Sequence, residues 1–198
     1  YTGATVNYLQ VNFPNVLNNS WNHIAVVRSS NVLRSYVNGE LISTLAMPVV
    51  NQNLNFTTPI VLGAARSPSA ATYSNYFSGK ISNVMIVKKA LYSGNFVPMG
   101  SPRTADQNGT LPVLLTCQGG TVMDYSYSSQ TLTSAGSLVV DSDGPFDQDD
   151  ELSYYFDGNG DYLSIADNAA LELGSGNFTI EAWINPQGYA VTASNQAM

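Results

Sequence analysis

The chain has 198 residues, 44% of them apolar and 11% charged, with a formal net charge of -7. That length suits one domain with a substantial core, two small domains being the other option. The seven basic residues are scattered, which argues against the clustered basic face of nucleic-acid binders, and no apolar run reaches the roughly 20 residues that span a bilayer.

Charged residues fall well below the roughly 25% usual in soluble domains. Asn, Ser, Thr, Gly and 12 tyrosines fill the polar positions instead, a composition that suits the pleated surface of extracellular β-proteins. Tyr1 opens on YTGATVNYLQVNF, with neither an initiator Met nor the charged and apolar regions of a signal peptide. A processed chain or a piece of a longer one is the expectation.

In chain order, VNYLQVNF (6–13) alternates Val6, Tyr8 and Gln10 against Asn7, Leu9 and Val11, which predicts a strand. HIAVVRS (23–29) and LRSYVNGELIST (33–44) follow, the latter folded at Asn38-Gly39, two residues that tolerate positive φ in a tight hairpin. PIVLGAA (59–65) and GKISNVMIVKKAL (79–91) are the next strands, separated by a Ser-, Ala- and Tyr-rich loop at 67–78. Composition shifts at 98–112, which is rich in proline and glycine, and again at DSDGPFDQDDE (141–151). Between them 113–140 reads as three short strands. SYYFDGNGDYLSI (153–165) and NFTIEAWI (177–184) are further strands, and NAALELG (168–174) is a helix-like turn with Asp167 or Asn168 as N-cap. Short strands, turn punctuation and no sustained helical period predict an all-β antiparallel sandwich.

Cys117 is the single cysteine, which excludes an intrachain disulfide, and it reads as a small core thiol. The single histidine, His23, lies inside a strand run rather than in a motif that would activate a thiol. Asp157, Asn159 and Asp161 in DGNGD have a spacing that can wrap a calcium ion, and calcium is the cofactor the sequence allows. The same residues are also ordinary hairpin chemistry. Asp141, Asp143, Asp147, Asp149, Asp150 and Glu151 form an acidic run, read as a solvated linker with a second cation site as the alternative. Trp21 and Trp183 sit in alternating strands and are expected in the core. The N-x-[ST] triplets at Asn18, Asn55, Asn108 and Asn177 arise by chance in so Asn- and Ser-rich a chain.

SYYFDGNGDYLSIADNAALELGSGNFTIEAWI (153–184) resembles the N-terminal third of laminin-G-like, concanavalin A-like jelly-roll domains. WNHIAVVRSSNVLRSYVNGELI (21–42), IVLGAARS (60–67) and YFSGKISNVMIVKKALY (76–92) resemble the later part of the same domain type. The connector resembles linkers between tandem copies of this domain in tailed-bacteriophage virion proteins, marine phages in particular. The resemblance implies three segments: 1–100, the C-terminal part of one sandwich; 101–150, a β-rich connector with an acidic linker; and 151–198, the N-terminal part of a following or permuted sandwich. A fragment of a tandem array is the preferred reading, and a circular permutation the alternative.

The resemblance further implies a non-enzymatic adhesion domain, at a virion or extracellular surface, that binds host-surface glycans through rim loops. Tyr73 and Tyr76, with Arg66 beside them, are the carbohydrate candidates because loop aromatics and polar donors recur at such rims. Other copies of itself or other virion proteins are the expected protein partners, with neither nucleic acid nor membrane insertion. A purely architectural filament or decoration subunit, assembled by intermolecular strand pairing, is the alternative. A glycoside hydrolase would need paired carboxylates. Glu181 has Thr179 and Trp183 two residues away on its strand, with no acidic partner there.

Overall fold

A computed structural model describes residues 11–47, 49–55, 57–67, 70–105, 109, 111–146 and 151–188. Of the expected strand at 6–13, residues 6–10 lie outside the described residues and 11–13 are coil. The other expected strands form. They are β1 (Asn22–Ser29), β2 (Val32–Val37), β3 (Glu40–Ala46), β4 (Ile60–Leu62), β5 (Ala65–Arg66), β6 (Tyr73–Ser74) and β7 (Ser78–Val87). The connector supplies β8 (Leu114–Thr116), β9 (Leu132–Ala135) and β10 (Val139–Asp141), and then come β11 (Ser153–Asp157), β12 (Tyr162–Ile165) and β13 (Phe178–Pro186).

Local chemistry sets several junctions. Asn38 and Gly39 both adopt positive φ, 50° and 81°, in the tight turn between β2 and β3. A single 3₁₀ turn, Ala169–Leu171, is capped by Asn168, whose side-chain oxygen accepts the Ala170 N–H. Among the described residues no helix is long and apolar enough to cross a membrane.

All the strand pairs are antiparallel. The large sheet runs β10-β11-β7-β13-β1-β2-β3, with β8 also on β7; a second sheet runs β4-β12-β9, and β5 pairs with β6. Strands from the first and third segments therefore interleave: β13 lies between β7 and β1, and β12 between β4 and β9. Among the described residues, both sheets combine strands from all three segments.

The sandwich core lies between the sheets. Ile24, Val37, Ile81, Val84, Ile184, Tyr154, Phe156 and Leu163 form one cluster, and Leu33, Ile86, Leu114, Ile165, Leu171 and Phe178 another. Cys117 joins the first, wholly buried, and burial pushes its thiol far above the ordinary range. β1 is buried on both faces, because Ala25 and Val27 point away from that core and, with Tyr36, meet Ala90, Tyr92 and Phe96. The chain after β7 thus folds back as a coil strap, residues 88–103, over the outer face of the large sheet. Gly39 lets it approach: a Cβ there would lie 1.9 Å from the Phe96 carbonyl oxygen. Both tryptophans are half-buried, and Trp183 stands on this outer face against His23 and Phe146, not in the sandwich core expected for it. Period-2 alternation puts a residue on a face without saying which face the second sheet covers.

Candidate functional site

One hairpin, and one turn that crosses between the two sheets where the sequence suggested a second hairpin, build one rim of the sandwich. The hairpin, residues 63–77, is closed by Phe77 N–H donating to the Gly63 carbonyl at 2.8 Å and by the Arg66–Tyr73 pair of the β5–β6 ladder. Phe77 anchors it edge-on against Phe156 in the core. The turn joins β11 to β12 through Asp157–Asp161. Asp161 is wholly buried; one carboxylate oxygen accepts the Asp157 N–H at 2.9 Å and the other accepts the Ser137 N–H. Asp157 Oδ1 accepts the Asn159 N–H at 2.6 Å, and its Oδ2 accepts the Ser137 hydroxyl at 3.4 Å.

The hairpin and the turn meet through tyrosine. Tyr73 stacks on Tyr162, ring centroids 4.0 Å apart and planes 14° from parallel. Tyr76 donates its hydroxyl to the Tyr73 carbonyl at 3.3 Å. Partial desolvation, then the neighbouring Tyr73, raises the Tyr162 phenol above its ordinary value. Arg66, Tyr73, Tyr76 and Tyr162 are all half-buried, so each shows part of its side chain at the rim. Two stacked phenol rings, a third tyrosine and an arginine thus gather at one rim.

The structure thus draws the two sequence-predicted groups to one rim: Arg66, Tyr73 and Tyr76 on the hairpin, and Asp157, Asn159 and Asp161 on the cross-sheet turn. Tyr162 is the member that sequence reading missed, although its place directly after Asp161 was a usable signal. As folded, the Asp157–Asp161 turn commits its carboxylates to N–H and hydroxyl donors. Among the described residues no three His, Cys, Asp or Glu side chains gather as a metal group, whereas calcium takes about six to eight oxygens. The arrangement fits a turn better than an ion cage.

The acidic run divides. Lys80 Nζ lies 3.1 Å from Asp141 Oδ2 and 2.8 Å from Asp143 Oδ2, so an amine occupies the place where a second cation was considered. These aspartates are paired, not the self-repelling linker that charge counting suggested. Desolvation at Asp141 is outweighed by the Asp143 N–H and the Lys80 amine, which hold its carboxyl below the usual range. Glu151 is buried and accepts the Phe146 N–H; Asp147, Asp149 and Asp150 lie outside the described residues.

Sequence reading also missed a buried polar cluster under the strap. Glu181 is 3% exposed; its Oε2 accepts the Tyr92 hydroxyl at 2.7 Å, while its Oε1 accepts the Arg103 Nε–H at 2.7 Å and lies 2.6 Å from Arg103 Nη2. Burial raises the Glu181 carboxyl, and Arg103 and Tyr92 offset part of that rise. His23 Nε2 lies 3.7 Å from Glu181 Oε2, beyond hydrogen-bond reach.

A family model described as the concanavalin A-like lectin/glucanases superfamily matches residues 2–94. The matched stretch contains Arg66, Tyr73 and Tyr76 but ends before Tyr162 and the Asp157–Asp161 turn. No curated protein and no solved structure matches the chain.

Proposed function

We propose that this chain is a non-enzymatic carbohydrate-binding domain of an adhesion protein, which takes pyranose rings at the rim built by Arg66, Tyr73, Tyr76 and Tyr162. The observation that carries the reading is the Tyr73–Tyr162 stack, held by a hairpin and a cross-sheet turn rooted in the core. The match of residues 2–94 to a superfamily of lectins and glucanases supports the ligand class. Within that superfamily, carboxylate geometry favours binding over hydrolysis. Glu181 is clamped by Arg103 and Tyr92, Asp161 holds backbone N–H groups, and Glu172 accepts the Asn55 amide at 2.8 Å. A glycosidase instead needs two carboxyl groups facing one cleft.

The proposed setting is a virion or extracellular surface with host glycans as partners. It rests on the connector's resemblance to phage linkers, and weak single sites repeated many times suit adhesion by multivalency. The architectural alternative would use the outer edge of β3. That edge is interrupted by a bulge at Ile42 and by Asn95, whose side chain accepts the Leu41 N–H at 2.9 Å. Both shorten the row open to another strand.

Glycan-array binding of a multivalent sample, with and without EDTA, tests the reading. Binding that survives EDTA and is lost in Tyr162→Ala is the expected result. No binding from a folded multivalent sample, or binding indifferent to Tyr73→Ala and Tyr162→Ala, would overturn it.

A further inference from the structure

The strap at residues 88–103 is coil, and it is tied to the outer face of the large sheet at separate points. Near its start, the Leu91 N–H donates to Thr179 Oγ1 at 3.0 Å, and that hydroxyl donates to the Lys89 carbonyl at 2.8 Å. In the middle, the Phe96 N–H donates to the Gly39 carbonyl at 2.9 Å. At its end, Arg103 reaches Glu181, and its N–H donates to Asn83 Oδ1 at 3.2 Å. Asn83 is free to do this because it sits at a bulge in β7 with φ of 51°.

His23 lies beneath the middle of the strap, 2% exposed. Its ring meets Phe96 edge-on at 5.7 Å and Trp183 at 5.2 Å. Nδ1 is buried with no hydrogen-bond partner among the described residues. A small cavity beside it is lined by His23, Asn83, Arg103, Phe146, Glu181 and Trp183 among others.

We infer that His23 is an acid-responsive release for this strap: protonation of its imidazole lifts residues 88–103 from the sheet and bares the outer face around Tyr36 and Trp183, while the sandwich stays folded. This goes beyond the glycan reading and uses none of the rim residues.

The reason is the count of charges in a dry place. An imidazolium must place two N–H donors, and Nδ1 has no acceptor. Among the described residues, the charged and titratable groups around it are Glu181 on β13, Tyr92 and Arg103 on the strap, and Tyr36 on β2. Glu181 already serves Arg103 and Tyr92, so a second cation would share one carboxylate. Tyr92 and Tyr36 have raised phenols and stay neutral. Burial first, then the Arg103 charge, lowers His23 from 6.5 to about 3 with the strap closed. With the strap open, water reaches the ring and the ordinary value returns. Because the closed form refuses the proton that the open form takes, closure is favoured above pH 6.5 and weakens tenfold per pH unit below it, roughly. Glu181 acts in the opposite sense. Its carboxyl is raised by burial, so proton uptake there favours the closed form and limits the opening at the acidic end. Local release is available because the strap covers only the outer face, whereas β1 and β13 keep their inner side chains in the sandwich core.

Hydrogen exchange of the full chain at pH 7.5 and pH 5.0, corrected for intrinsic rates, tests this. Opening of residues 90–103 should increase in the wild type by up to about thirtyfold, the limit set by one proton taken up at about 6.5 without the opposing effect of Glu181, with β13 unchanged. His23→Phe, which keeps an aromatic ring but no titrating group, should abolish the increase; His23→Gln serves if the phenylalanine variant does not fold. Strap exchange in the wild type that ignores pH would overturn the inference. So would a rise that persists in either variant, or one in which β13 opens together with the strap.

Discussion

Tyr73 and Tyr162 lie face to face, 4.0 Å between centroids, although one belongs to the first segment of the chain and the other to the last. The contact forms because β12 is laid between β4 and β9, which carries the turn after β11 to the hairpin of β5 and β6. Neither the hairpin nor the turn alone brings the two rings together.

Replacing Tyr162 by Ala removes half of that stack. Glycan affinity should fall at least about tenfold, or roughly 1.4 kcal/mol, while Tyr162→Phe keeps most of it. Affinities read beside thermal melts separate this from misfolding, since loss of the stack itself costs about 1 kcal/mol of stability.

Glu181→Ala strips the acceptor from a buried guanidinium and a buried phenol. Removing one partner of a buried pair costs about 3–5 kcal/mol, because the Arg103 guanidinium loses the carboxylate it meets at 2.6 Å. Glu181→Gln keeps an acceptor oxygen and should cost less. Urea denaturation at pH 7 measures both.

Gly136 has φ of 78°, and a Cβ on it would lie 2.1 Å from Asp161 Oδ1. Gly136→Ala should therefore lose at least about 2 kcal/mol and disorder the Asp157–Asp161 turn. Melting temperature and glycan binding should fall together, because Tyr162 is carried by that turn.

Global stability should also report His23. Its folded value of about 3 lies below the 6.5 of the unfolded chain, so unfolding takes up a proton and stability falls as pH drops below 6.5. The slope is about 1.4 kcal/mol per pH unit, until the folded histidine itself titrates. Glu181, with a raised carboxyl, opposes that fall at its acidic end. His23→Phe should flatten the profile between pH 6.5 and 5.

Cys117 is wholly buried with its thiol held far above the ordinary range. A thiol reagent at pH 8 should label it at the rate of unfolding and not faster. Rapid labelling of the native protein would show that the inner core opens near β8.

What could be read along the chain was whatever rests on neighbours in sequence. Strands announced themselves by alternation, the β2–β3 turn by Asn38-Gly39, the 3₁₀ turn by its Asn168 cap, and Cys117 by its apolar setting. These depend on dihedral preference and on the two-residue period of a strand, both local properties. The Arg66, Tyr73 and Tyr76 group was legible for the same reason, as one loop of unusual composition.

Tertiary structure alone decided which strands touch. His23, Glu181 and Arg103 lie in three separate stretches, and each looks ordinary there: a strand histidine, a strand glutamate, a loop arginine. They converge because β13 inserts beside β1 and the strap crosses both. Lys80 meets Asp141 and Asp143 only because β11 joins β7 to β10. Strand pairing brings together residues of any sequence separation, and the buried apolar area that selects one pairing belongs to the whole sandwich and not to any segment of it.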